Sequence, residues 1–284
     1  MIYTNYFYSS KLEKGEYRVR DNRFYPGKAF EVFALWFDYV RIHYPNEHIL
    51  IFDNDSTIPI EDGMNTVKED YEIVDYNSFA VDKNKLVHVV KHPRLPYLDA
   101  VARNIYSGIE WAYRTNDNLF WLDTDFLINN NLSNLIGNLD VWSDNLDETQ
   151  MTMGMVCLYV SKSQLHKFDG KIDYLDGLKR VLDAAGYHGR MATFFEHGMY
   201  DLFCFGDYGT SNKFNGTHMS CYKNFLRFLN GNPIDSPNYT KVKNLLEGID
   251  FELFKKTKFQ DTRHFNEYYG TEVLLEFGDT FYIA

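Results

Sequence analysis

The sequence predicts an α/β fold, with one mostly parallel central sheet flanked by helices. Two observations predict it. Short apolar runs such as Ile49-Leu50-Ile51-Phe52 and Leu119-Phe120-Trp121-Leu122 read as buried strands. Amphipathic helical stretches alternate with them through the first half, the pattern of a doubly wound parallel sheet. The chain has 284 residues, 45% hydrophobic and 17% aromatic, which suffices for one large core.

In chain order, Ile2 to Phe7 is rich in β-branched and aromatic residues and reads as the first strand. The polar stretch Ser9 to Arg23 reads as a loop. Pro26-Gly27 precedes a helix from Lys28 to Tyr44, closed by Pro45. His48 to Phe52 is a strand, and Asp53-Asn54-Asp55-Ser56 a turn. Tyr71 to Tyr76 and Leu86 to Val90 are short strands. Val101, Ile105, Ile109 and Ala112 recur at the helical period, placing a helix over Asp99 to Tyr113. Leu119 to Leu122 follows as a strand, and Thr152 to Val160 as a long one. Asp173 to Ala185 reads as an amphipathic helix with Gly186 as its cap. The remainder reads as irregular, aromatic and rich in Gly and Asn. No repeat or low-complexity linker divides the chain. It reads as one domain, with residues 1–150 and 151–284 as its two halves.

The net charge of −11 argues against a nucleic-acid groove or an anionic-membrane patch. Cys157, Cys204 and Cys221 form no disulfide framework and suit a reducing compartment. The N-terminus shows no signal-peptide pattern, and the most apolar helix is too short and too charged to span a bilayer. These features predict a cytoplasmic protein without a membrane anchor. Sequons stand at Asn54, Asn131, Asn215 and Asn238, but without a secretory signal they read as chance.

Two D-x-D triplets occur, Asp53–Asp55 and Asp123–Asp125, so the spacing alone carries little. Context distinguishes the second. Asp123 and Asp125 follow an apolar strand directly, at the end where open α/β sheets bind ligands. Two such carboxylates can share a hard cation, which in turn can hold phosphate oxygens. The plain alternative is a solvated turn after a strand.

Ala102-Arg103-Asn104 on a helix, the strand Leu119 to Leu122, and Asp123-Thr124-Asp125 together resemble the GT-A glycosyltransferases. The resemblance covers roughly residues 1 to 160. It implies a GT-A, Rossmann-like sheet, a nucleotide-sugar-binding first half and an acceptor-binding second half. The Asn-, Asp- and Tyr-rich composition is similar to the soluble glycosyltransferases of large DNA viruses, such as those that build chlorovirus capsid glycans. The resemblance implies a Mn²⁺ or Mg²⁺ cofactor, a UDP-sugar donor (UDP-xylose by the viral likeness) and a glycan or glycoprotein acceptor. Tyr3, Thr4 and Asp53 would lie near the nucleoside. Arg103 would face the diphosphate or base, and Lys223 a phosphate. Asp125 would ligate the metal, and Asp123 would reach ribose or the metal. His218 would complete the metal site, with His264 as its rival. Glu196 and then Asp201 are the candidates for the catalytic base of an inverting transfer, with Asp207 third. Trp142, Tyr200 and Tyr208 are candidates for stacking on sugar faces.

A rival reading is a haloacid-dehalogenase-type phosphatase. Ile49 to Thr57 resembles its nucleophile motif, with Asp53 attacking phosphorus. Against it, that motif normally caps the first strand, and Arg103, Asn104, Asp123 and Asp125 are left unexplained. A non-catalytic sugar-binding relic of the same fold is the third reading.

Overall fold

Side chains alternate across a strand, so a strand covered on both faces must be apolar throughout. β1 (Ile2–Tyr6), β3 (Ile49–Asp53) and β6 (Leu119–Leu122) are buried at every position. A computed structural model describes residues 1–6, 24–26, 29–56, 59–94, 97–124, 126–136, 139–144, 146–147, 152–153, 156–166, 208–210, 216–218, 222–248 and 273–275. The other elements of the first half are β2 (Phe24–Pro26), α1 (Ala29–His43), α2 (Ile60–Val67), β4 (Tyr71–Ile73), β5 (Val87–Lys91), α3 (Tyr97–Thr115), β7 (Phe126–Ile128), α4 (Ser133–Ile136), β8 (Val141–Ser143) and β9 (Leu146–Asp147). Then come β10 (Thr152–Met153), β11 (Cys157–Val160), α5 (Lys162–His166), β12 (Tyr208–Thr210), β13 (Gly216–His218), α6 (Tyr222–Gly231), α7 (Pro237–Glu247) and β14 (Val273–Leu275).

Eight strands form one sheet in the order β12-β8-β11-β6-β1-β3-β5-β4. β6, β1, β3, β5 and β4 are mutually parallel, and β11 runs antiparallel between β6 and β8. The expected mostly parallel sheet flanked by helices is therefore the observed one. The chain starts at β1 and builds outward through β3. It then returns through α3 to β6 on the opposite side of β1. The direction of building reverses between β1 and β6. At such a switch point, crossovers leave to opposite faces and open a crevice at the carboxyl ends of the strands.

The two faces carry separate cores. Ile2, Tyr6, Ile49, Ile51, Val87 and Leu122 pack with α1 residues Val32, Phe33, Trp36 and Val40, and with Phe225, Leu229 and Val242 of α6 and α7. Tyr3, Leu50, Phe52, Val90 and Trp121 pack with α3 residues Ile105, Ile109 and Trp111 on the other face. α3 lies very close to β6. A Cβ on Gly108 would meet the Trp121 ring at 3.1 Å, so glycine permits that approach.

Several expectations need correction. Thr152 to Val160 is not one strand: β10 pairs with β9, whereas β11 pairs with β6 and β8. The two pieces serve different sheets, and an apolar pattern does not report a change of partner. Tyr71 to Tyr76 is a three-residue strand followed by a 3₁₀ turn over Tyr76–Ser78, capped by the Asp75 carboxylate accepting from Asn77 N–H. The second half is less irregular than expected, because α6 and α7 lie in it. The α7 signal is in the sequence. Ser236 accepts from the Asn238 and Tyr239 N–H groups as N-cap, Pro237 occupies the first turn, and Tyr239, Val242 and Leu246 form the buried stripe. The predicted helix over Asp173 to Ala185 lies outside the described residues, as does the predicted loop Ser9 to Arg23.

The second half is fastened to the first through polar contacts on α1. Asp38 accepts from Ser236 Oγ and Asn238 Nδ2, Glu31 pairs with Lys241, and the Tyr39 hydroxyl donates to Asn232 O at 2.6 Å. Three sequon asparagines have their side chains in use. Asn54 accepts from Arg103, while Asn131 and Asn238 donate to His43 O and Asp38.

Candidate functional site

The switch point between β1 and β6 is closed by side chains from both strands. Thr4 Oγ1 donates to Leu122 O at 2.5 Å. Asn5 Nδ2 donates to Asp123 Oδ1 at 2.8 Å, and Trp121 Nε1 donates to the same oxygen at 2.8 Å. Thr124 Oγ1 lies 3.5 Å from Asn5 Oδ1. Asp123 N–H donates to Val156 O, and Phe126 N–H donates back to Asp123 O at 3.1 Å, which forms the turn. The reason is local. Trp121 and Asp123 are two apart on one strand, so both side chains leave on the α3 face. Asp123 is therefore an oriented carboxylate at the carboxyl end of β6.

Asp125 lies outside the described residues. Phe126, which follows it in the chain, begins β7, and β7 pairs antiparallel with β13 in the register Phe126↔His218. Directly opposed residues in such a ladder have Cα atoms roughly 4.5–5.5 Å apart. The backbone of His218 thus lies beside the residue next to Asp125, although the two are 93 positions apart by number. Lys223 falls in the first turn of α6, just after β13. Glu196, Asp201, Asp207, Tyr200 and His264 lie outside the described residues. Tyr208 begins β12 at the sheet's edge. Trp142 is a buried core residue, only 2% exposed.

The carboxyl ends of β3 and β5 form a second polar group. Asp53 ends β3 and is 4% exposed. Its Oδ1 accepts from Ser56 N–H at 3.3 Å. Arg103, on α3, donates through Nη2 to Asn54 Oδ1 and to Pro93 O, bridging the loops after β3 and β5. Asn104 is fully buried and donates to Phe52 O at 3.3 Å. Strand parity separates the two acids. Asp53 follows Ile49 and Ile51 onto the face that carries α1 and α2, whereas Asp123 follows Trp121 onto the α3 face. Thr4 is fully buried in the β1–β6 seam. Tyr3 is fully buried among Leu50, Phe52, Ile105 and Trp121, where its ring serves the core.

Burial pushes the Asp53 carboxyl up from an ordinary 3.8 to about 6, despite the opposing pull of the Ser56 hydrogen bonds and the Lys91 charge. A carboxyl raised on folding contributes stability that is present below about pH 3.8 and lost as pH rises through about 6. Asp53→Asn keeps the acceptor for Ser56 and removes the buried charge. It is expected to stabilise the protein by about 2–3 kcal/mol at pH 8 and by under about 1 kcal/mol at pH 4. Urea unfolding at the two pH values measures this. An equal effect at both would show that the charge is not the cause.

Two site residues carry no signal in the sequence reading. Asn5 and Trp121, which hold Asp123, read there as strand residues. The signal available is positional: Asn5 is a polar residue near the end of an otherwise buried strand, and Trp121 stands two before the acid. Among the described residues no three metal-ligating side chains converge. No helix among them is long and apolar enough to cross a membrane.

No family model matches the sequence, and no curated protein matches it either. Among solved structures, the chain is similar to the glycosyltransferase GlyE of Streptococcus pneumoniae TIGR4. That match has 13% identity over 64% of this chain and a TM-score of 0.38, and it spans only 42% of GlyE. It is also similar to the galactosyltransferase LgtC in complex with donor and acceptor sugar analogs (9% identity, 75% of this chain, 73% of that one, TM-score 0.36). An active-site mutant of LgtC gives 8% identity, the same coverage and a TM-score of 0.35. Likenesses this distant carry no argument about chemistry; the fold stands on the hydrogen-bonded sheet itself.

Proposed function

We propose that this chain is a metal-dependent glycosyltransferase that takes a sugar from a UDP-sugar, such as UDP-xylose, and passes it with inversion to a glycan or glycoprotein acceptor. One observation carries the proposal. An oriented aspartate, Asp123, stands at the carboxyl end of β6 beside the topological switch point, and the β7–β13 register brings His218 to the strand that follows Asp125. Carboxylates and an imidazole are suitable donors for Mn²⁺, and carboxylates for Mg²⁺. Asp125 and His218 would hold the cation, with Asp123 toward the ribose or the metal. When bound, the cation supplies charge neutralisation for the diphosphate leaving group. Arg103 and Lys223 would add positive charge on the donor side, and Glu196 or Asp201 would take the acceptor proton.

The test is product analysis with UDP-sugars in Mn²⁺ and in EDTA. Release of UDP with Mn²⁺ alone is the expected result. Release of inorganic phosphate from phosphate esters, lost in Asp53→Asn, would favour the phosphatase reading. UDP binding without turnover would favour the sugar-binding relic. The base preference is a separate expectation. UDP is expected to bind more tightly than GDP, as the resemblance to UDP-sugar-dependent GT-A glycosyltransferases implies. Calorimetry giving the reverse order would remove UDP as the donor nucleotide.

A further inference from the structure

We infer that Asn5 and Trp121 are positioning residues that set the Asp123 carboxylate at the end of β6 for a cation, an inference that rests on the function proposed above. Asn5 grips the turn at two points. Its Nδ2 donates to Asp123 Oδ1 at 2.8 Å, and its Oδ1 faces Thr124 Oγ1 at 3.5 Å. The two contacts together fix which end of the amide faces which partner. Trp121 Nε1 is the second donor to Asp123 Oδ1, also at 2.8 Å.

Neither donor has room to turn away. Trp121 is fully buried, its ring stacked on Phe52 at 6.4 Å between centroids and pressed by α3 at Gly108. Asn5 is 9% exposed, and its backbone is locked in register with Phe52 of β3. Two N–H donors on one carboxylate oxygen hold the carboxylate in one orientation. That is the role of outer groups around a metal: they orient the ligands without touching the ion. The arrangement spans the switch point, since Asn5 belongs to β1 and the turn to β6. The geometry of the turn is thereby tied to the β1–β6 pairing.

Trp121→Phe removes the donor and keeps most of the ring. Asn5→Ala removes the two-point grip, and Asn5→Ser stands in should the alanine variant fail to fold. The probe is Mn²⁺ in the presence of UDP, with unbound Mn²⁺ followed by electron paramagnetic resonance and folding checked by thermal unfolding. Each folded variant is expected to bind Mn²⁺ roughly 10–100-fold more weakly than the wild type. Turnover should return toward the wild-type rate at saturating Mn²⁺, which a merely structural role would not produce. Wild-type protein that binds no Mn²⁺ with UDP would overturn the reading of the site itself. Wild-type binding that folded Trp121→Phe and Asn5 variants retain within about two-fold, well short of the loss expected for such outer groups, would overturn the positioning role alone.

Discussion

Asp125→Ala is expected to abolish turnover of a UDP-sugar while the protein stays folded. Asp123, held by Asn5 and Trp121, is assigned to the ribose or the metal, and direct ligation of the cation to Asp125. Removing it takes away a hard oxygen ligand, and without the cation the diphosphate leaving group carries its charge unneutralised. The fold should lose little. Substitutions away from cores and networks usually stay within about 0.5 kcal/mol, the scale expected here. Circular dichroism and a thermal scan on the variant, beside its turnover in Mn²⁺, give the comparison. Full activity in folded Asp125→Ala, or in wild type with EDTA, would contradict the assignment.

Glu196→Gln is expected to lower turnover by roughly 10²–10⁴-fold, the usual contribution of a general base. An inverting transfer needs one carboxylate to take the proton from the acceptor hydroxyl as its oxygen attacks. The donor-side acids are assigned to the cation and the ribose, so the base is expected in the second half of the chain. Glu196 follows Phe194 and Phe195, and burial against aromatics raises a carboxyl toward a useful value. UDP affinity is expected to stay unchanged, since the role proposed for Glu196 is toward the acceptor. Asp201→Asn is the second variant in the same assay, with the anomeric configuration of the product read by NMR. Retention of configuration, or near wild-type rates in both variants, would remove both residues from the role.

The sheet and its two large helices were legible because their signals are strong and local. Strands buried on both faces need continuous apolar runs, and β3 and β6 have them. α3 needs a stripe at the helical period, and Ile105, Ile109 and Ala112 supply it. The end of β6 before Asp123 was legible because the apolar run stops there. What escaped is non-local. Nothing in the residues near Asp123 announces that Asn5, 118 positions away, will donate to it. That contact exists because β1 is the sheet's central strand. The β7–β13 ladder is similar: short strands with few side chains carry no periodicity, yet their register places His218 opposite Phe126. Strand parity was readable in principle and decides how Asp53 differs from Asp123, since one odd-numbered set faces α1 and the other faces α3. α2 escaped for a different reason. Its eight residues contain Gly63, which packs under Phe33 where a Cβ would come within 2.7 Å, so tertiary packing outweighs helix propensity there.

The carboxyl end of β6 is proposed to bind a nucleotide diphosphate through a divalent cation. Thermal unfolding with UDP, in Mn²⁺ and in EDTA, tests it most directly, using wild type and Asp123→Ala together. A ligand at about 100 times its Kd stabilises the native state by roughly 2.7 kcal/mol. For a chain of this size that corresponds to a rise of roughly 5–10 °C in Tm. That rise is expected for wild type with UDP and Mn²⁺, and little or none in EDTA or in Asp123→Ala. A rise of the same size in EDTA, or in Asp123→Ala, would contradict it.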